Sequence, residues 1–364
     1  SITLGYRYPR VDKALKKQLK QGISFSLLNK NEILTAEILL DMVNVERPAS
    51  IFFTKSGSDS TASAIRLAKA FTGKSKIVWC SPSYHGYYSE FAITQPLNLG
   101  VPSCLKELII PFRYNHPEEL EKIFSENIDV GAVITEPVIY AEEQDGFLKK
   151  IEKIAHENNA LIILDEVVCF PRFYKRNFKF NITPQIVCVS KGIGNGTSIG
   201  AVIGRDDIMD LRRQEKIFCS GTFWGENLGL VAARETLLEF QEQNVADHLQ
   251  CVGTLIKDIY NRTAKKLDLK TSCIGYPTRL CLKFDDIIEK SFFLERCLDN
   301  GVLFSTVVFP MFMHKKKEIN RAEQVITNAL YELSDAIRKG DVKEQLKGDI
   351  VKLPPLSSRF ETRF

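Results

Sequence analysis

The sequence predicts an α/β protein, a mainly parallel sheet covered by helices with a smaller C-terminal α+β lobe. Short, near-continuous apolar runs alternate with helix-periodic segments up to about residue 244, the pattern of parallel strands joined by crossover helices. Two of those runs end at an ionisable residue, Asp165 and Lys191. Beyond about Val245 the pattern changes to alternating segments of the antiparallel kind, separated by helices.

Taken in order, residues 9–21 place Val11, Leu15 and Leu19 on one helical face, and residues 30–44 do the same with Ile33, Leu34, Ile38 and Leu39. Both read as amphipathic packing helices. Residues 51–53 form an apolar run ahead of Ser56-Gly57-Ser58-Asp59, followed by a helix over 60–71 that turns Ile65 and Ala68 toward a sheet. Further strands are predicted over 76–79, 130–135, 161–164 and 186–189, apolar throughout as strands covered on both faces must be. Helices over 118–127 and 148–158 supply crossovers, and a long helix from about 226 to 242 reads as leaving this core. Residues 274–284 and 302–309 then alternate like antiparallel strands, with helices at 290–300 and 319–339. The domain reading is a helical segment over 1–44, a large domain over 45–244, a small domain over 245–345, and an irregular proline-containing tail over 346–364.

The 364 residues are 44% hydrophobic and 26% charged, with 49 Lys and Arg against 45 Asp and Glu, a net charge of +4. That balance supports a globular core and lacks the basic surplus of a nucleic-acid binder. No apolar run approaches the roughly 18 residues of a membrane span, and no secretory signal is read, so neither membrane nor nucleic acid is expected as a partner. Nine cysteines without a C-x-x-C pair point to reduced thiols and a cytoplasmic location. Five histidines, none at H-x-x-x-H spacing, give no metal site.

The strand read over 161–164 runs into Asp165-Glu166-Val167, and that over 186–189 into Ser190-Lys191-Gly192-Ile193-Gly194. Ligands of open parallel sheets bind beyond the carboxyl ends of the strands, so an acid and an amine would face one crevice. Singly each is ordinary, since a strand-end Asp usually caps a neighbour and a Lys before Gly usually faces water. Ser56-Gly57-Ser58-Asp59-Ser60 enters a helix, where its N–H groups suit either a plain N-cap or a phosphate at the positive end of the dipole. Ser83-Tyr84-His85-Gly86 brings an aromatic ring and an imidazole to the same rim, although such a pair alone is more often packing. Gly192, Gly194 and Gly196 miss the spacing of a dinucleotide loop. Lys315-Lys316-Lys317 reads as a solvated turn, and Arg279 first as a surface arginine, second as a partner for a substrate carboxylate or phosphate.

Leu4-Gly5-Tyr6-Arg7-Tyr8-Pro9, Ser56-Gly57-Ser58-Asp59, Tyr84-His85-Gly86, Glu136-Pro137-Val138, Asp165-Glu166-Val167, Ser190-Lys191-Gly192-Ile193-Gly194 and Ser220-Gly221-Thr222-Phe223 follow one another over most of the chain. In these motifs the sequence resembles the class III pyridoxal-phosphate-dependent aminotransferases, and within them the glutamate-1-semialdehyde 2,1-aminomutase-like branch. The resemblance implies the aspartate-aminotransferase type of transferase fold (fold type I), with pyridoxal 5′-phosphate as cofactor. It implies that Lys191 is the Schiff-base lysine that holds the cofactor and shuttles a proton, which requires an amine able to be neutral in a desolvated site. Asp165 would pair with the pyridine nitrogen and keep the ring an electron sink. Tyr84 and His85 would belong to the cofactor-binding set, Tyr84 stacking on one ring face and Val167 pressing on the other. Gly57 and Ser58 would bind the 5′-phosphate, reached also by Thr222 from the partner subunit of a homodimer with shared sites.

Three departures shape the expected substrate. The resemblance implies a segment ahead of the position of Leu4 that contributes substrate contacts; this sequence starts at Ser1 without Met, and the expectation is that one wall of the site differs if that segment is missing. Ile139, Tyr140 and Ala141 follow Glu136-Pro137-Val138 where related enzymes place a glutamine or asparagine, which implies a less polar substrate environment. Val168-Cys169-Phe170-Pro171-Arg172 shifts the spacing of the family's Thr-Gly-Phe-Arg pattern, so its arginine is not assigned to Arg172. The expectation is an aminotransferase that moves an amino group from an amino acid donor to a carbonyl acceptor, such as a sugar or another secondary-metabolite precursor. A glutamate-1-semialdehyde-type 2,1-aminomutase and a catalytically idle binding relative are the alternatives, and consumption of an external donor separates the first two.

Overall fold

The computed structural model describes residues 1–95, 98–174 and 180–351, so that 352–364 of the tail read over 346–364 lie outside the described residues. The chain divides into two units, Ser1–Ile139 with Glu143–Ala246, and Tyr140–Glu142 with the chain from Asp247 onward.

The first unit opens with α1 (Pro9–Leu19), which carries proline in its first turn where a missing N–H is harmless. A capping box of Asn29 and Glu32 starts α2 (Lys30–Met42). The buried faces differ from the apolar periodicity: Gln18 and Thr35 are inside, while Leu19 and Ile33 are exposed. Thr35 can take an inner position because its hydroxyl donates to the Leu230 carbonyl.

The sheet is built from β1 (Ala49–Thr54), β2 (Lys76–Ser81), β3 (Ile109–Arg113), β4 (Val130–Thr135), β5 (Leu161–Asp165), β6 (Ile186–Val189) and β7 (Gly200–Arg205), in the order β1-β7-β6-β5-β4-β2-β3. The pairs β2–β3, β2–β4, β4–β5 and β5–β6 are parallel. Only β7 is reversed, antiparallel to both β1 and β6. Every residue of β4, β5 and β6 is buried, as their continuous apolar runs require. The apolar pattern does not predict β3, interrupted by Pro111, or β7, which has glycine at positions 200 and 204.

Helix α3 (Gly57–Thr72) is capped by Ser56 and stopped by Gly73 in the left-handed region, and its inner face joins Ile77, Ile134, Ile163 and Val202 in one core. Helices α4 (Pro117–Glu126), α5 (Phe147–Glu157), α6 (Asp206–Arg213) and α7 (Asn227–Glu242) complete the unit. Contrary to the expectation that it leaves the core, α7 stays against α1 and α2, bound by Arg10 to Glu235 at 2.9 Å and by Asn31 to Asn227 at 2.6 Å.

From the unit boundary α8 (Val245–Lys266) leads into β8 (Thr271–Tyr276), β9 (Arg279–Phe284), α9 (Ile287–Asp299), β10 (Val307–Val308) and α10 (Lys316–Lys339), with an antiparallel sheet ordered β10-β9-β8. The stretch read as one strand over 274–284 is a hairpin turning at Pro277 and Thr278. Gly253 lets α8 pass this turn, since a Cβ there would lie 1.7 Å from the Pro277 carbonyl oxygen. Arg279 is a correction: it is 6% exposed, not a surface arginine, and its guanidinium lies 4.7 Å from the centroid of the Tyr140 ring. Among the described residues no helix is long and apolar enough to cross a membrane.

Candidate active site

Within the first unit, the carboxyl ends of β1, β2, β5 and β6 and the start of β7 surround a cavity of about 390 Å³. Strand β5 delivers Asp165, which is buried with both oxygens engaged. Oδ2 lies 2.7 Å from His85 Nδ1 and Oδ1 accepts the Val167 N–H at 3.0 Å. A carboxylate only accepts, so the shared proton belongs to Nδ1. The His85 ring is buried edge-on to Phe91, and its Nε2 has no hydrogen-bond partner among the described residues. Next along the chain, burial, and after it the Asp165 charge, pushes the Glu166 carboxyl up to about 7. The same two causes push the Cys188 thiol, paired across the strands with Asp165, well above its ordinary value.

Lys191 opens the tight turn Lys191–Gly194 that follows β6, with φ at 43°. The N-terminal motif holds this turn in place. Asn195 Oδ1 accepts the Thr3 and Leu4 N–H groups at 3.1 and 2.9 Å, its Nδ2 donates to the Gly5 carbonyl, and Thr3 Oγ1 donates to the Gly192 carbonyl at 2.9 Å. One wall of the cavity is the start of α3, where first-turn amides have no acceptor within the helix. That wall and its neighbours meet at distances only glycine permits. A Cβ on Gly57 would stand 2.7 Å from Val167 Cγ1, and one on Gly86, at φ +93°, 2.8 Å from Ser58 Oγ. Thr61 Oγ1 donates to the His85 carbonyl at 2.7 Å and ties α3 to the Tyr84–Gly86 loop, while Glu136 Oε1 accepts the Tyr84 N–H at 3.2 Å.

Of the residues predicted from sequence, Gly57, Ser58, Tyr84, Asp165, Val167 and Lys191 line the cavity. His85 lies behind Asp165 and not on the lining, and Thr222, exposed in the turn over 222–225, is outside the lining of its own chain. Sequence reasoning missed Lys55, Thr61 and the segment 196–199. Thr61 carried a signal, four residues beyond Gly57 on the same helical face. The segment 196–199 carried none, because only the reversed direction of β7 brings it to this end of the sheet.

A family model described as aminotransferase class-III matches residues 1–330. The chain belongs to the class III aminotransferases. Glutamate-1-semialdehyde 2,1-aminomutase of Aquifex aeolicus (strain VF5) is 28% identical over 375 residues, 93% of this chain and 86% of that relative. The aminomutase of the same name from Methanothermobacter thermautotrophicus is 30% identical over 300 residues, covering 78% and 70%. Among solved structures, the internal aldimine form of the FumI protein of Sphingopyxis sp. MTA144 superposes with a TM-score of 0.85 at 24% identity, over 92% of this chain and 83% of that one. The ornithine aminotransferase of Toxoplasma gondii gives a TM-score of 0.81 at 19% identity, over 92% and 84%. The fold is therefore that of the pyridoxal-phosphate-dependent transaminases, and as a class III aminotransferase the protein is a pyridoxal-phosphate-dependent enzyme.

Proposed function

We propose that this enzyme transfers an amino group from a small amino acid donor to a carbonyl acceptor, with Lys191 as its covalent and proton-carrying residue. The observation that carries the reading is the convergence of Lys191 and Asp165, from neighbouring strands, on one cavity whose wall is the N-terminus of a helix. The residues present fit the cofactor part for part. An amine suits its carbonyl, a carboxylate suits its pyridine nitrogen, Tyr84 and Val167 suit the faces of its ring, and the α3 amides with the Ser58 hydroxyl suit its phosphate. Gly57 and Gly86 let the α3 start close against Val167 and the Tyr84–Gly86 loop, since a Cβ on either would collide with Val167 or Ser58.

When bound, pyridoxal 5′-phosphate supplies an electrophilic carbonyl and a ring that takes up the electron pair left when a substrate carbon loses its proton. Lys191 Nζ would hold the cofactor at its carbonyl and, as a neutral amine, would take up and carry the proton of the substrate Cα. Asp165 holds the pyridine nitrogen protonated, and donation from His85 Nδ1 fixes the carboxylate in one orientation. Tyr84 and Val167 orient the ring, and Gly57 and Ser58 hold the phosphate.

A homodimer with shared sites belongs to this reading. Thr222 is exposed and flanked by the exposed Phe218 and Phe223, a surface suited to burial against a second copy whose phosphate Thr222 reaches. The nine free thiols support a reducing, cytoplasmic compartment.

The aminomutase relatives support a second reading, a glutamate-1-semialdehyde-type 2,1-aminomutase, in which the same residues act on one molecule that keeps its amino group. Purified protein with pyridoxal phosphate should absorb visible light, and borohydride followed by peptide mass mapping should place the label on Lys191. An aminotransferase then consumes an amino acid donor and releases its keto acid, whereas an aminomutase isomerises glutamate 1-semialdehyde with no donor consumed. Protein that stays colourless and unlabelled in excess cofactor overturns both readings.

A further inference from the structure

We propose that Lys55 is a charge-reading residue of the cavity, which leaves Glu226 to bind an oxyanion held there. The inference rests on the reading of the cavity as the cofactor and substrate site, and it concerns a residue outside the motifs that carry the family resemblance.

Lys55 lies between β1 and the N-cap of α3 and lines the cavity, where the charged side chains among the described residues are Lys55, Asp165 and Lys191. Asp165 is held by His85 and the Val167 amide. With Lys191 committed to the cofactor's carbonyl, Lys55 is the cationic side chain that remains among the described residues of the lining. Its Nζ sits 2.6 Å from Glu226 Oε1, with the lysine side chain 31% and the glutamate side chain 10% exposed.

Glu226 does not depend on the lysine. Its Oε2 accepts the Leu228 N–H at 2.9 Å and its Oε1 the Gly229 N–H at 3.0 Å, so its charge caps the positive end of α7 whether or not Lys55 is present. The acceptor is also fixed in position. A Cβ on Gly229 would stand 2.8 Å from the Ser198 carbonyl oxygen and 3.4 Å from Glu226 Oε1, so α7 and the 198–199 segment pack through that glycine. Ser198 Oγ in turn donates to the Lys55 carbonyl at 2.7 Å. The lysine main chain and its resting acceptor are pinned, while its four-carbon stem has the rotatable bonds to turn. The result is a cation with two stations, one on Glu226 and one in the cavity.

The ligand chemistry is a small oxyanion, which in the working enzyme is either the cofactor's phosphate or the carboxylate of the amino substrate. The test compares wild type, Lys55→Gln and Lys55→Arg as the full chain, with unchanged melting midpoints showing intact folds. Four quantities are read: retention of pyridoxal 5′-phosphate against phosphate-free pyridoxal, Kd for inorganic phosphate, Kd for the unreactive dicarboxylate glutarate, and KM for glutamate against the carboxylate-free donor 1-phenylethylamine. Lys55→Gln should weaken one class of anion by about tenfold or more, as the loss of a charge-assisted hydrogen bond does, with Lys55→Arg retaining most of the affinity and the controls that lack the anionic group not weakened. Loss confined to the phosphate probes identifies the cofactor as the source; loss confined to glutarate and glutamate identifies the substrate. Anion affinities unchanged in Lys55→Gln, or ligands with and without the anionic group weakened alike, overturn the proposal. Phosphate and glutarate binding require no cofactor chemistry, so they report on Lys55 separately from any failure of Lys191 to take up the cofactor.

Discussion

Asp165 and Lys191 stand at the ends of β5 and β6, strands on which every residue is buried, and Asp165 is bonded through both oxygens. Lys55, Gly57 and Ser58 stand instead on a helix start and the loop before it, only partly buried, and are held there by a few hydrogen bonds. The cavity thus has a floor set by strand ends and a wall set by a helix start. Strand ends place reacting groups, whose chemistry tolerates little displacement, and the amides and hydroxyls of a helix start suit binding. Substitutions in the floor should therefore lower turnover, and those in the wall should lower affinity.

The largest expected effect is that of Lys191→Ala. Removal of the covalent anchor and proton carrier should lower turnover by about 10⁴-fold or more, while the cofactor still enters and is no longer fixed by borohydride. Turnover within tenfold of wild type would place the chemistry elsewhere and end the distinction between floor and wall. Asp165→Asn should come next, lowering kcat by about 10² to 10³-fold through loss of the charge that faces the ring nitrogen, with KM for the donor nearly unchanged. A rise in KM that accounts for the whole loss would make Asp165 a binding residue.

The floor was legible in the sequence and the wall much less so, for physical reasons. Strands buried on both faces must be apolar throughout, so β5 and β6 announce themselves and point to the residues at their ends. The start of α3 was recognisable from Ser56 and the glycine after it, although the helix begins at Gly57 and not at residue 60. β7 has only the short apolar run Ala201-Val202-Ile203, set between glycines that accept close neighbours, and with it the whole placement of 196–199 beside the cavity stayed hidden. Inner positions of α1 and α2 were misjudged for a related reason, because Gln18 and Thr35 find hydrogen-bond partners there that no periodicity encodes.

Glu166 sharpens the comparison from beneath the floor. Its carboxyl sits at about 7 in the folded chain against an ordinary 4.5, chiefly through burial and then through Asp165. Below the lower value both the folded and the unfolded chain hold the proton. As pH rises between the two values the unfolded chain releases it first, and above about 7 the folded chain must carry a buried charge. Stability should accordingly fall across that window by up to about 3 kcal/mol, and Glu166→Gln should remove this part of the slope. Denaturant unfolding at pH 5 and pH 8 measures the difference. If the substitution leaves the slope intact, burial of Glu166 is not what sets its protonation, and the floor is wetter than its packing indicates.

The smallest effect should come from Thr61→Val, at a hydroxyl that ties wall to floor. Thr61 Oγ1 donates to the main-chain carbonyl of His85 at 2.7 Å, and the His85 side chain holds Asp165 at the same distance. Valine keeps the branched shape but withdraws the donor, which costs about 1 to 3 kcal/mol where the abandoned acceptor is buried. The start of α3 is then less firmly held against the Tyr84–Gly86 loop, while the strand ends remain in place. Cofactor should dissociate several-fold faster, with turnover of the saturated enzyme close to that of wild type. The opposite result, slower turnover with unaltered cofactor release, would mean that the hydroxyl acts through His85 on Asp165, making this part of the wall an extension of the floor.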